Sequence, residues 1–262
     1  MGQSWEDADN EAKEAELAMA SNAGERVVDH QAIKRIWRDD GFRIFLSHRS
    51  KVKKDVGELK DRLEAFGARC FVAHENIQPM LQFQNEMLKA LDSMHCLMAV
   101  VTDKFHESVW TGQEIGYALA RRVPIISLKL SDENPRGFTG RDQALSCRWE
   151  TAPVEALKIA IKYPDMFNAY VEALRSCRSF DNGNHLGKLL PGMMSLSDAQ
   201  ANALVEVYNS GGEIAGSFAF TGGKAREYGP GLLHYLNQLG DRKFALAKKS
   251  WKIVLDDDDG AL

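Results

Sequence analysis

An α/β fold, a parallel sheet with helices on both faces, is the class this sequence predicts, and three observations predict it. Short apolar runs alternate with amphipathic stretches from Phe42 to Leu130. The links between them are short, as right-handed crossovers between neighbouring strands allow. The run Leu97–Thr102 carries few polar residues, which suits a strand covered on both faces.

The elements follow in order. Arg43–Ser47 is a short apolar run and reads as the first strand. Val52, Val56, Leu59, Leu63 and Phe66 then recur at alternating steps of four and three, an amphipathic helix stopped by Gly67. Arg69–Ala73 is the second strand, and Gln84–Asp92 a short helix with Met87, Leu88 and Leu91 inward. Leu97–Thr102 is the third strand. Trp110–Arg121 is the next helix, with Ile115, Ala118 and Leu119 facing the core. Pro124–Leu130 is the fourth strand, its proline tolerated at a strand start. Residues 131–150 read as loop. Helices are predicted over Val154–Tyr163, Met166–Cys177, Asp198–Asn209 (capped by Ser197) and Gly231–Leu239, and a strand over Gly212–Phe220. Ligands on such sheets bind at the carboxyl ends of the strands, here Ser47–Ser50, His74–Pro79 and Thr102–Ser108.

Composition narrows the function classes. Of 262 residues, 44% are hydrophobic and 27% charged, as in a globular protein with a sizeable core. The net charge of −4 gives no electrostatic argument for nucleic acid or an anionic membrane. No apolar stretch approaches the roughly 18 residues that a membrane span requires, and no secretory signal is evident, so the expected location is cytoplasmic. The four cysteines are far apart and form no CxxC, which argues for free thiols rather than a disulfide frame or a zinc site. Residues 1–40 form an acidic polar arm, partly helical, with Glu6, Asp7, Asp9, Glu11, Glu14 and Glu16 in its first half. Arg242, Lys243, Phe244, Lys248, Lys249, Trp251 and Lys252 make a basic aromatic stretch, read as a solvated face because Asp256–Asp259 opposes a polyanion.

One pair carries chemistry. Trp110 and Glu114 are four residues apart in Trp-Thr-Gly-Gln-Glu, one turn along a helix that follows a strand. Two readings of Glu114 stand side by side. If Thr111 is the N-cap, Glu114 is the last member of a capping box. If Ser108 is the cap, Glu114 lies in the second turn and has no capping task.

The run from Phe42 to about Cys147 resembles a bacterial Toll/interleukin-1 receptor (TIR) domain. Ile44-Phe45-Leu46-Ser47-His48 is similar to its first strand and loop. Cys70–Pro79 is similar to its second strand and following loop. Phe105–Glu114 resembles the tryptophan-to-glutamate motif that opens its third helix, and Gly137-Phe138 with Gln143–Ser146 resembles the tail of the subgroup. Two positions depart: Pro79-Met80 and Phe83 replace the usual proline-small-tryptophan sequence, and Asp55 is the first acid after Ser47-His48. The resemblance implies a flavodoxin-like TIR domain over 41–163, leaving 165–262 as a small C-terminal α+β accessory module.

The resemblance also implies cleavage of the nicotinamide–ribose bond of NAD+, with release of nicotinamide and ADP-ribose or a cyclic ADP-ribose-type signal, in bacterial antiviral defence. NAD+ is then the substrate, with no cofactor and no metal. Expected partners are other copies of the chain, through TIR–TIR contacts, and an activating protein or nucleotide. The alternative is a non-catalytic TIR–TIR adaptor or a nucleotide-sensing module. Glycoside hydrolysis ordinarily uses two carboxylates. Nicotinamide leaves neutral from a pyridinium, so one carboxylate can suffice by stabilising the oxocarbenium-like transition state. Glu114 is the catalytic candidate, ionised at neutral pH if its pKa is the ordinary ~4.3. Trp110 is placed to stack on a flat ring. Phe45, Ser47, His48 and Arg49 at the end of the first strand, and Gln82 and Phe83 after the second, complete the expected substrate-binding set.

Overall fold

The computed structural model describes residues 30–38, 41–72, 80–137 and 144–256, without the side chains of 30–32 and 80–84. Four strands form where apolar runs predict them: β1 (Phe42–Ser47), β2 (Ala68–Val72), β3 (Cys96–Val101) and β4 (Ile125–Lys129). A fifth, β5 (Leu145–Ser146), is only two residues long and lies inside the segment read as loop. All pairings are parallel, in the order β2-β1-β3-β4-β5. This is the flavodoxin-like doubly wound order, and its topological switch point lies between β1 and β3.

Helices α1 (His30–Trp37), α2 (Lys53–Glu64), α3 (Met80–Ser93), α4 (Val109–Ala120) and α5 (Ala152–Ala160) surround the sheet. Strand side chains alternate between faces, and the two cores divide accordingly. Ile44, Leu46, Cys96, Met98 and Val100 join the core shared with α2 and α5. Phe45, Leu97, Ala99 and Val101 join the other, with Trp37, Met87, Leu91, Ile115 and Ala118 from α1, α3 and α4. By the same parity Ser47, two residues beyond Phe45, belongs to the face that α4 covers.

The C-terminal part is mostly helical: α6 (Pro164–Arg175), α7 (Phe180–Leu186), α8 (Asp198–Asn209), α9 (Gly212–Gly216), α10 (Phe218–Thr221), α11 (Ala225–Tyr228) and α12 (Leu232–Leu239), followed by a hairpin of β6 (Phe244–Leu246) and β7 (Ile253–Leu255). Pro164 opens α6 at a position where its missing N–H costs nothing. Ser197 caps α8 with a capping box closed by Gln200. The strand expected over Gly212–Phe220 is instead the helical pair α9 and α10. Its apolar residues find helices rather than a neighbouring strand. Gly183 of α7 and Gly216 of α9 allow this close approach: a Cβ on Gly183 would stand 2.9 Å from Ser217, and one on Gly216 2.3 Å from the Phe180 ring.

The core on the α2 and α5 face runs on without a break from Phe42 to Ile253, through Tyr170, Leu189 and Leu236. Gly67, at φ +95°, brings the chain just before β2 close against α6. A Cβ there would lie 2.2 Å from the Ala169 carbonyl oxygen, so both the left-handed backbone and the missing side chain are required. Cys70, Cys96 and Cys177 are buried free thiols, and Cys147 is partly covered. Among the described residues, no helix is long and apolar enough to cross a membrane. Within the acidic arm, residues 1–29 lie outside the described residues.

Candidate active site at the carboxyl ends of the strands

Ser108 is the N-cap of α4: its backbone is extended, and its hydroxyl accepts from the Thr111 N–H at 3.4 Å. Thr111 is therefore inside the helix. Its hydroxyl donates to the carbonyls of Phe105 (2.9 Å) and Ser108 (3.0 Å), fixing the helix start on the preceding turn. With Ser108 as cap, Glu114 stands in the second turn, where it has no backbone N–H to cap.

The buried residues of α4 are Thr111, Glu114, Ile115 and Ala118. Their spacing is that of an apolar stripe, and Glu114 takes one of its places. It is 4% exposed. Its Oε2 accepts a hydrogen bond of 2.5 Å from the hydroxyl of Ser47, which is fully buried at the end of β1. The two residues meet at the switch point between β1 and β3, where this sheet order places ligands.

Burial pushes the Glu114 carboxyl up to about 7, against the opposing pull of the Ser47 hydrogen bond. This corrects the expectation of an ordinary carboxylate. Removing the charged form from water outweighs one hydroxyl donor, so near neutral pH the acid is divided between its two forms.

The other expected residues fall into three groups. His48 and Arg49 adjoin the pair: His48 is buried, its Nδ1 donating to the Leu46 carbonyl at 3.0 Å, and Arg49 donates to the Asp103 carbonyl at 3.0 Å. Arg49 thereby ties the loop after β1 to the loop after β3. Trp110 lies at the start of α4 and is 43% exposed, so its ring is available at the surface rather than committed to the core. Phe45, by contrast, is fully buried and stacks on Phe71, with centroids 5.3 Å apart. It forms the floor two residues below Ser47. Gln82 and Phe83 fall in the first turn of α3, with side chains outside the described residues, as is the segment 73–79.

Sequence reading did not pick out two supports. Tyr117, one turn past Glu114, donates to Asp92 of α3, which Arg121 also reaches at 3.2 Å, so α3 and α4 are clasped together. His106 Nε2 accepts from the Arg136 N–H at 3.1 Å, anchoring the segment after β4 beside the site. Both link groups far apart in sequence and leave no local pattern. The Ser47–Glu114 pair was within reach, because strand parity and the helical stripe both point inward at these residues.

Comparison with known families gives one match: residues 44–158 fit the model described as TIR domain. No curated protein and no solved structure matches the chain significantly. The matched span begins in β1, ends in α5 and contains the whole switch-point site. The sheet order and the family match agree: residues 44–158 of this chain match a TIR domain.

Proposed function

We propose that this protein cleaves the nicotinamide–ribose bond of NAD+, with Glu114 as the catalytic carboxylate. The observation that carries the reading is a buried acid in the second turn of α4, free of any capping task, at the ligand-binding end of the sheet. A carboxylate held at the edge of ionisation suits a cationic substrate. The arriving pyridinium favours the charged form, and that charge then faces the developing oxocarbenium ion in a site of low dielectric. Exposed Trp110, one turn earlier, offers a face for the nicotinamide or adenine ring. In this reading Arg49, beside the switch point, would turn from the Asp103 carbonyl to meet the diphosphate.

Glu114 is too covered for a ribose to reach it without movement of the residues over it. We connect this to self-association. A neighbouring TIR domain would open and complete the site, and activity would rise with protein concentration. Residues 165–262 act in this reading as an accessory module, and antiviral defence is the biological setting. The test is incubation of purified protein with NAD+, dilute and under crowding, followed by separation of nicotinamide, ADP-ribose and cyclic products. Nicotinamide release that climbs with concentration is the expected result. Intact NAD+ under both conditions contradicts the reading and favours an adaptor.

A further inference from the structure

Ser47, expected among the substrate-binding residues, is given no task in the cleavage step proposed above, yet its hydroxyl is the hydrogen-bond partner of Glu114. Its hydroxyl is fully buried and meets Glu114 Oε2 at 2.5 Å, across 67 residues of sequence. That length is typical of an O–H group donating to an ionised oxygen. A buried hydroxyl needs a partner, and on this strand face α4 supplies a carboxylate. We propose that Ser47 is the positioning residue of the Glu114 site: its hydroxyl orients the carboxylate at the switch point and sets the pH range over which the site holds an ionised acid. The consequence for turnover rests on the NAD+-cleavage reading, but the effect on ionisation does not.

The elements packed against α4 are β1, β3, β4, α3 and the turn Phe105–Glu107. Their nearby titratable groups are held by other partners. His48 bonds Leu46, Arg49 bonds the Asp103 carbonyl, and His106 accepts from Arg136. Glu107 pairs with Lys104 at 3.4 Å, Asp92 is taken by Tyr117 and Arg121, and Lys129 donates to Asn134. Burial, acting upward, and the Ser47 hydroxyl, acting downward, are the two influences on Glu114. Without the hydroxyl, burial acts unopposed.

The experiment follows the Glu114 carboxyl by NMR from pH 5 to 9 in protein carrying 13C-labelled glutamate, its signal assigned by its loss in Glu114→Gln. Wild type, Ser47→Ala and Ser47→Thr are compared, with the pH profile of kcat/KM for NAD+ measured beside each. In Ser47→Ala the midpoint should move up by about one pH unit, the scale of one hydrogen bond to a charged group. Ser47→Thr, which keeps the hydroxyl, should stay near wild type. Should the alanine variant not fold, Ser47→Cys replaces it, keeping the volume with a weaker donor and moving the midpoint upward by less. A midpoint that does not move in the variant lacking the hydroxyl overturns the proposal. A shifted midpoint with no cleavage by any variant supports the positioning role while contradicting the NAD+ reading.

Discussion

At the carboxyl ends of β1 and β3 an acid is buried against a hydroxyl, Glu114 against Ser47. At the amino ends of the same two strands, charged groups are paired off along an open groove of about 490 Å3. There Arg43 donates to the Ser93 carbonyl at 2.6 Å, and its backbone N–H reaches His95 Nδ1 at 3.3 Å. His95 Nε2 lies 3.8 Å from Asp165, and Arg175 bridges Glu172 and Glu206. The groove has the volume of a small-molecule site. Its acids and bases balance one another, however, and such half-exposed pairs contribute roughly 0–1 kcal/mol each. The carboxyl end shows the opposite: an acid in the core stripe of a helix, held by a neutral donor. A perturbed acid of this kind marks chemistry better than open volume does.

The largest expected effect contrasts the two ends through their pH dependence. Folding raises the Glu114 pKa from its ordinary 4.5 to about 7. Between those values the folded chain holds the proton that the unfolded chain releases, so stability falls as pH rises through that window and levels above it. At ~1.4 kcal/mol per pKa unit the loss is about 3 kcal/mol. Glu114→Gln should remove this slope and unfold at higher urea than wild type at pH 8. Identical pH slopes for the two proteins would break the comparison, because the acid would then be no more perturbed than those of the groove.

Trp110 sharpens it at a smaller scale. A buried tryptophan costs about 3–5 kcal/mol when cut to alanine, and Trp37, buried under the sheet, should do so. Trp110→Ala should cost less than about 1 kcal/mol, because its ring is already partly in water. NAD+ cleavage should nevertheless fall more in Trp110→Ala than in Trp110→Phe, by up to about tenfold, the scale of one stacking contact. Equal rates in two folded variants would argue against a ring-stacking role.

The smallest effect belongs to the groove. Burial and the nearby Arg43 hold the His95 pKa below its ordinary 6.5, with Asp165 opposing. The fold therefore favours neutral His95, and its contribution to stability is lost as pH falls below 6.5, the reverse of the Glu114 slope. His95→Gln should flatten the acid side of the urea titration by less than Glu114→Gln flattens the other. A His95 slope with the sign of Glu114's would contradict the description of the groove.

Much of the sheet was legible in the sequence, because each apolar run has the length and composition of a buried strand and each helix repeats its stripe. Leu145–Ser146 was not, since two residues carry no period. Gly212–Phe220 misled because Ile214, Phe218 and Phe220 suggest a strand, whereas the glycines that dock these segments on α7 act through tertiary contact alone. At the site, the Trp-Thr-Gly-Gln-Glu motif pointed to α4, and Ser108, rather than Thr111, proved to be its cap. Phe45 was expected at the ligand and lies in the core, because its strand parity turns it beneath Ser47. The raised pKa of Glu114 had no local signature, because the burial that causes it is assembled from α4 and the sheet together.

The most direct measurement is the rate of nicotinamide release from NAD+ by wild type and Glu114→Gln, at equal high concentration and with folding checked by thermal melts. The glutamine keeps the shape and a hydrogen-bonding partner for Ser47 but cannot carry the charge. The account predicts a loss of at least about 100-fold, the scale of removing one strong electrostatic contact to a transition state, in a protein at least as stable as wild type. A folded Glu114→Gln protein that still cleaves NAD+ at the wild-type rate would contradict it.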